Sequence, residues 1–346
     1  MATWITTARE LAVYFGLALA VSAALTPVME RVALRLGAVD QPTARKRHSR
    51  PTPLLGGLAV YLAFWASVLG LVRPLHPALV ELALVTLMVT IVGLWDDVSR
   101  LSVSARLVTQ ALATVMVLTT IGGRDLTSSV WLDVPLTFLW IVGVTNALNL
   151  LDNLDGVASA VSATAAASYA ALFLLSGGEA AAGLAVALAG AAIGFLLFNY
   201  PPARLFMGDA GSFFLGMTLA VVGIGAQRRL DHPAGWIPAV LVLALPLFDT
   251  TLVSVSRLRR GKNPLTTPGR DHLAHRLARL GWSDRRIVAV FTAVTAALGV
   301  LAFFAALRPV VAWIAGPVVL AVGALVLVWL ERSGDAGVAP TPHWPS

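Results

Sequence analysis

The chain has 346 residues, of which 58% are hydrophobic and only 12% charged, which excludes a soluble globular domain, where about a quarter of residues carry charge. Its formal charge of +7 is read as loop charge that orients a membrane protein, with no nucleic-acid partner. Zero cysteines exclude disulfides and thiolate metal sites.

A hydrocarbon core about 30 Å thick needs roughly 20 apolar residues per helix, and about eleven such segments succeed one another along the chain. They span 10–29, 54–72, 78–95, 104–122, 135–151, 156–176, 182–199, 211–227, 236–256, 286–306 and 309–331. The expectation is an all-α polytopic membrane protein, one helical bundle over residues 1–331, with a Gly-, Pro- and Ser-rich tail, 332–346, that is disordered. The first segment lacks a cleavage site and reads as a retained anchor.

Lysine and arginine set the orientation. Six lie near 31–50 and nine near 257–286, joined by Arg100, Arg106, Arg204 and Arg332, whereas the opposite face keeps only Arg9, Arg73, Arg124, Arg228, Arg229 and Arg308. The richer side is cytoplasmic, which puts the N-terminus outside and the C-terminus inside. The carboxylate-bearing loops, 30–53, 96–105, 151–156, 200–211 and 257–285, then share the cytoplasmic face.

In chain order, the first of these loops carries Arg45, Lys46, Arg47, His48 and Arg50 among three prolines, before Gly56-Gly57. Such a basic loop serves either as an orientation signal at anionic headgroups or as a stiff holder of polyphosphate. Asp96-Asp97 follow at the end of the third segment, with Arg106 and Gln110 opening the fourth. Adjacent carboxylates at a membrane boundary are unfavourable without a cation, and the choice lies between a solvated pair with Arg100 and a site for Mg²⁺ or a bound cationic cluster.

The fifth segment ends in Asn146, Asn149, Asp152, Asn153, Asp155 and Gly156, whose three-to-four-residue spacing predicts one helical face of amides and carboxylates. That density of oxygen ligands reads as a site rather than as helix-to-helix bonding. Asn199-Tyr200-Pro201-Pro202 then leads into Phe206-Met207-Gly208-Asp209-Ala210-Gly211-Ser212, expected to be a polar turn open to a ligand. Asp249, within the ninth segment, is a functional candidate or a helix-pairing residue. Finally Arg270-Asp271-His272-Leu273-Ala274-His275-Arg276 offers cationic capture of phosphate, and two histidines without further ligands make zinc the weaker reading.

Five stretches carry a resemblance: Arg45-Lys46-x-His48 through Pro53-x-x-Gly56-Gly57, Asp96-Asp97, Asn146-x-x-Asn149-x-x-Asp152-x-x-Asp155-Gly156, Phe206-Met207-Gly208-Asp209-x-Gly211-Ser212, and Arg270-Asp271-His272 through His275-Arg276. Over roughly residues 10–330 the chain resembles the polyprenyl-phosphate N-acetylhexosamine-1-phosphate transferases, a family that includes the phospho-muramoyl-pentapeptide transferase. Two departures stand out: Ala274 replaces a frequent histidine, and Arg106 the usual lysine.

The resemblance implies transfer of a sugar 1-phosphate, most nearly that of N-acetylglucosamine, from a UDP-N-acetylhexosamine to undecaprenyl phosphate, with release of UMP. It implies Mg²⁺, with Mn²⁺ as the alternative ion, held by Asp209, Asn149 and Asp152. Asp96 and Asp97 would flank the attacking phosphate and, with Asp209, form the catalytic carboxylates. Substrate would meet Lys46, His48, Arg106, Asn146, Asp152, Asp155, Asn199, Phe206, Arg270, His272, His275 and Arg276. The implied setting is the bacterial cytoplasmic membrane, with the active site facing the cytoplasm, and a homodimer is what the family suggests. The muramoyl-pentapeptide enzyme is the alternative within the class. A secondary transporter of an anion is the alternative outside it, but that predicts inverted repeats and midplane polar residues, and neither is evident.

Overall fold

The computed structural model describes residues 2–41, 51–71, 76–120, 127, 129–230, 232, 234–267 and 269–336. It is a bundle of helices in the order α1 (Ala2–Leu36), α2 (Gly56–Leu71), α3 (Pro77–Ser99), α4 (Val103–Thr120), α5 (Val130–Leu151), α6 (Val157–Leu175) and α7 (Glu179–Asn199). There follow α8 (Gly208–Arg229), α9 (Trp236–Val242), α10 (Ala244–Arg259), α11 (Leu273–Arg279), α12 (Asp284–Leu307) and α13 (Pro309–Ala336). Among the described residues the one departure from an all-α fold is a two-stranded antiparallel ladder, β1 (Val39–Asp40) with β2 (Thr52–Pro53), in register Val39 to Pro53.

Among the described residues, α1, α3, α5, α6, α7, α8, α12 and α13 are long and apolar enough to cross a membrane, and α2 and α4 are shorter apolar helices. The expected straight ninth segment is instead the pair α9 and α10, bent by 71°. Pro246 supplies the reason: it has no N–H for the carbonyl of Val242, and its ring clashes with that carbonyl, so the helix breaks at Leu243. Two further corrections concern ends. The 257–285 stretch contains α11, and α13 runs on to Ala336, past the residue where a disordered tail was expected to begin.

The most buried span is α8, which packs against α2, α3, α5, α6 and α9. No charged residue lies between Asp209 and Arg228, so a polar first turn sits at the end of an apolar rod placed mid-bundle. Two glycines set its depth. A Cβ on Gly57 of α2 would collide with the backbone of Gly211, and one on Gly93 of α3 would sit 2.5 Å from the Asp209 carbonyl oxygen. Only bare backbone allows α2 and α3 this close to the first turn of α8. Backbone bonds complete the seam: Phe206 N–H donates to Pro53 O at 2.9 Å, Gly56 N–H to Phe206 O at 3.0 Å and Gly57 N–H to Met207 O at 2.8 Å. The ladder of the first loop is thereby stitched to the strand of chain that enters α8.

Candidate active site

Four helix ends meet around Asp209: the C-termini of α3 and α5 and the N-termini of α4 and α8. Asp209 is not in a free turn, as its glycine-rich surroundings predict, but in the first turn of α8, where a carboxylate is favoured by the helix dipole. Its Oδ1 accepts from Asn149 Nδ2 at 2.6 Å, and its Oδ2 lies 3.9 Å from Arg106 Nη1. The same Arg106 nitrogen pairs with Asp96 Oδ2 at 3.0 Å, so one guanidinium serves two carboxylates from different helices. Asp96 is buried and spends its other oxygen on the Leu101 N–H, fixing the turn between α3 and α4.

Asp97 points the other way. Its Oδ1 accepts the Asp209 N–H at 2.7 Å and its Oδ2 the Ala210 N–H at 3.2 Å. These are the positions that an N-capping side chain serves, supplied here from a separate helix. Asn149 also donates to Ser212 Oγ at 3.0 Å, and Asn146 donates to Gln110 Oε1 at 2.6 Å. Ser212 and Gln110 are site residues that the sequence reading did not select. Gln110 carried a signal, since it falls one turn after Arg106 on the same face of α4.

The predicted helical face from Asn146 to Gly156 is shorter than its spacing suggests. The helix ends at Leu151, Asp152 caps it, and the chain turns before α6. Burial, followed by the fields of Asp97 and Asp155, pushes the Asp152 carboxyl up to about 7. Asp155 faces the turn before α8 and accepts the Ala203 N–H at 2.8 Å.

Several sequence-selected residues are committed elsewhere. Asn199 is buried, accepts from Gly156 N–H and Ser159 Oγ, and donates to Leu205 O, so it fastens α6 to the turn before α8. Arg276 is buried and donates to Glu331 Oε1 at 2.7 Å, Ser256 Oγ, Leu330 O and Asp271 O, as a strut between α10, α11 and α13. His272 is buried with its Nδ1 2.9 Å from Asp249 Oδ2, and the other Asp249 oxygen accepts the Leu273 N–H to cap α11. The intramembrane Asp249 therefore serves the last loop. His275 is half-buried with its ring 6.0 Å from that of His272, and Arg270 is exposed. Phe206 contributes its backbone to the seam with β2 and α2. Lys46 and His48 lie outside the described residues.

The donor set fits Mg²⁺ better than a softer ion. It offers oxygens alone, and among the described residues no three His, Cys, Asp or Glu side chains form a ready cage. Mg²⁺ usually takes one or two carboxylates and completes its shell with water and substrate phosphates. Asn149 presents an amide nitrogen to Asp209, and the same amide turned over presents its oxygen.

This geometry defines a polytopic membrane protein with an acidic, oxygen-rich site at one end of its bundle, and the chain belongs to glycosyl transferase family 4, whose family model matches residues 79–227. Within it the chain is a polyprenyl-phosphate N-acetylhexosamine-1-phosphate transferase family member. It is 31% identical to the probable undecaprenyl-phosphate N-acetylglucosaminyl 1-phosphate transferase of Bacillus subtilis, over 77% of this chain and 76% of that one. It is 32% identical to the decaprenyl-phosphate N-acetylglucosaminephosphotransferase of Mycobacterium tuberculosis, over 94% and 91% of the two chains. It is 30% identical to the undecaprenyl-phosphate alpha-N-acetylglucosaminyl 1-phosphate transferase of Escherichia coli, over 81% and 80%.

Proposed function

We propose that the protein transfers N-acetylglucosamine 1-phosphate from UDP-N-acetylglucosamine to undecaprenyl phosphate at the cytoplasmic face of a bacterial cytoplasmic membrane. The observation that carries this reading is the meeting of Asp209, Asn149, Asp96, Asp97 and Arg106, from four helices, at one bundle end. The names of the three relatives support the same sugar and a polyprenyl acceptor. The excess of Lys and Arg in the loops at that end supports the orientation.

In the reaction, an oxygen of the lipid phosphate attacks the β-phosphorus of the UDP-sugar. The bond from that phosphorus to the bridging oxygen breaks, and the electron pair leaves with UMP. A phosphate monoester has a second pKa of about 6, so the nucleophile is already mostly dianionic at neutral pH and a general base gains little. Direct attack is therefore favoured over an aspartyl-phosphate route through Asp97, whose oxygens are engaged by the N–H groups of α8. Asp209, Asn149 and Asp152 would hold Mg²⁺, which supplies charge neutralisation between two anionic substrates. Arg106 holds Asp96 and Asp209 in place and brings a positive charge to the carboxylate cluster.

Purified protein given UDP-N-acetylglucosamine, undecaprenyl phosphate and Mg²⁺ is expected to form the lipid pyrophosphoryl sugar and UMP. Product from UDP-muramoyl-pentapeptide instead would move the chain to the other branch, and product from neither would overturn the assignment.

A further inference from the structure

The helix that brings Arg106 to the carboxylates, α4, is one of the shorter apolar helices. It packs against α3 and α5 and leaves Val108, Leu112 and Val115 exposed on its outer face. Lipid tails are as apolar as these side chains, so the hydrophobic effect does not press such a helix onto the bundle, and packing and polar bonds set its rotation. Its inner face is made of Gln110, Ala113, Thr114 and Val117, all buried. Among the described residues, two side chains of α4 are bonded to other helices, Arg106 and Gln110, one turn apart on the same face.

The bond from Gln110 is an odd one for stability. Asn146 spends both of its amide N–H groups, on Gln110 Oε1 at 2.6 Å and on the Val142 carbonyl of its own helix at 2.8 Å. That carbonyl can only accept, so it fixes which way the Asn146 amide faces, and Asn146 then requires the oxygen of Gln110. Gln110 Nε2 is left over: the side chain is 1% exposed, and this nitrogen has no hydrogen-bond partner among the described residues. A buried N–H without a partner costs more than one neutral hydrogen bond returns, so an aliphatic residue would fill the seam at least as well. What the pair supplies is register. One turn nearer the bundle end, Arg106 of α4 and Asn149 of α5 both reach Asp209, at 3.9 and 2.6 Å. The two helices are thus tied twice, once directly and once through the first turn of α8, and two ties a turn apart fix both the roll and the rise of α4.

We propose that Gln110 and Asn146 are positioning residues for Arg106: their bond sets the rotation of α4 at which one guanidinium meets both Asp96 and Asp209. Without it α4 keeps a single polar tie, and Arg106 no longer holds one place between the two carboxylates. Asn146 therefore acts through α4 and not on the substrate. The effect on turnover rests on the transferase reading above, whereas the effect on the place of residue 106 does not.

The test has a labelling arm and a kinetic arm, both on the full-length protein in nanodiscs. The chain has no cysteine, so Arg106→Cys supplies a single thiol whose rate of reaction with a charged thiosulfonate reads where position 106 stands. Adding Gln110→Leu should change that rate by on the order of threefold, the worth of an average hydrogen bond between membrane helices. Thr114→Val, which removes a buried hydroxyl bonded back to the Gln110 carbonyl at 2.8 Å within α4, should leave the rate unchanged. In the kinetic arm, with Arg106 restored, Gln110→Leu should keep the unfolding temperature of wild type and lower kcat by about tenfold at an unchanged KM for UDP-N-acetylglucosamine. The same substitution should cost nothing further in an Arg106→Ala background, and adding Asn146→Leu to Gln110→Leu should not raise KM. An unchanged labelling rate, an equal change in Thr114→Val, or a kcat loss that repeats in full without Arg106 would overturn the positioning role. So would failure of Gln110→Leu to fold, which would make the bond a structural one, or a KM raised by Asn146→Leu, which would return Asn146 to the substrate. A wild type without transferase activity would refute the transferase reading alone, and the labelling arm would still decide this one.

Discussion

Asp97 caps the helix that carries Asp209: from the end of α3 its two oxygens receive the Asp209 and Ala210 N–H groups at 2.7 and 3.2 Å. The position of one candidate carboxylate thus depends on another. Asp97→Asn keeps an acceptor and should fold normally, whereas Asp97→Ala should cost about 1 kcal/mol of stability, the usual value of a lost N-cap. If the charge also serves the reaction, both variants lose turnover. Thermal unfolding beside product formation separates the two roles, and equal stability of the variants would contradict the capping role.

Arg106 competes with any cation for Asp96 and Asp209. Arg106→Ala should bind Mg²⁺ more tightly, by a few-fold given the modest worth of a partly exposed ion pair, while turning over more slowly. Calorimetric titration of Mg²⁺ tests this, and weaker binding in the variant would show that Arg106 does not oppose the ion.

Asn199 should act on stability and not on substrate affinity. Asn199→Ala strands the buried Gly156 N–H and Leu205 carbonyl, at about 1–3 kcal/mol for each unsatisfied group. The expected result is a lower unfolding temperature with an unchanged KM for the UDP-sugar. A raised KM at unchanged stability would return Asn199 to the substrate site.

Arg276 and Glu331 form a buried pair at 2.7 Å, and breaking such a pair from one side typically costs about 3–5 kcal/mol. Arg276→Met should be strongly destabilising, and Arg276→Met with Glu331→Gln should recover much of the loss. A phosphate-binding arginine would show no such recovery.

Asp271 gives the pH dependence a sign. Burial alone would raise its carboxyl, but the two bonds from Arg257 hold it below the ordinary 3.8. A depressed folded value contributes stability that is present above pH 3.8 and is lost as pH falls through the folded value. Asp271→Asn should flatten the acid limb of the stability curve below pH 3.8 and leave its slope at neutral pH unchanged.

What the sequence disclosed follows from what apolar length and charge position can encode. The apolar segments are helical, and the carboxylates at their ends converge, because a charge is expensive inside a bilayer and collects at boundaries. The pairing of Asn149 with Asp209 was legible only through the family resemblance. Direction was not: a loop arginine reads the same whether it faces solvent or, like Arg276, a buried glutamate on α13. Periodicity overshot the end of α5, because Asp152 and Asn153 fit a helical spacing and a cap equally well. The break at Leu243 has its signal in Pro246, but the apolar run continues unbroken on both sides of it and reads as one segment.

The most direct test of the central claim is a single-turnover reaction with labelled UDP-N-acetylglucosamine, run with and without undecaprenyl phosphate, on wild type and Asp209→Asn. UMP release should require the lipid and Mg²⁺, yield labelled lipid pyrophosphate, and fall by roughly a hundredfold or more in Asp209→Asn, in keeping with the loss of one transition-state electrostatic contact. Release of UMP without lipid, with label on the protein, would contradict direct transfer. An Asp209→Asn variant as fast as wild type would contradict the site itself.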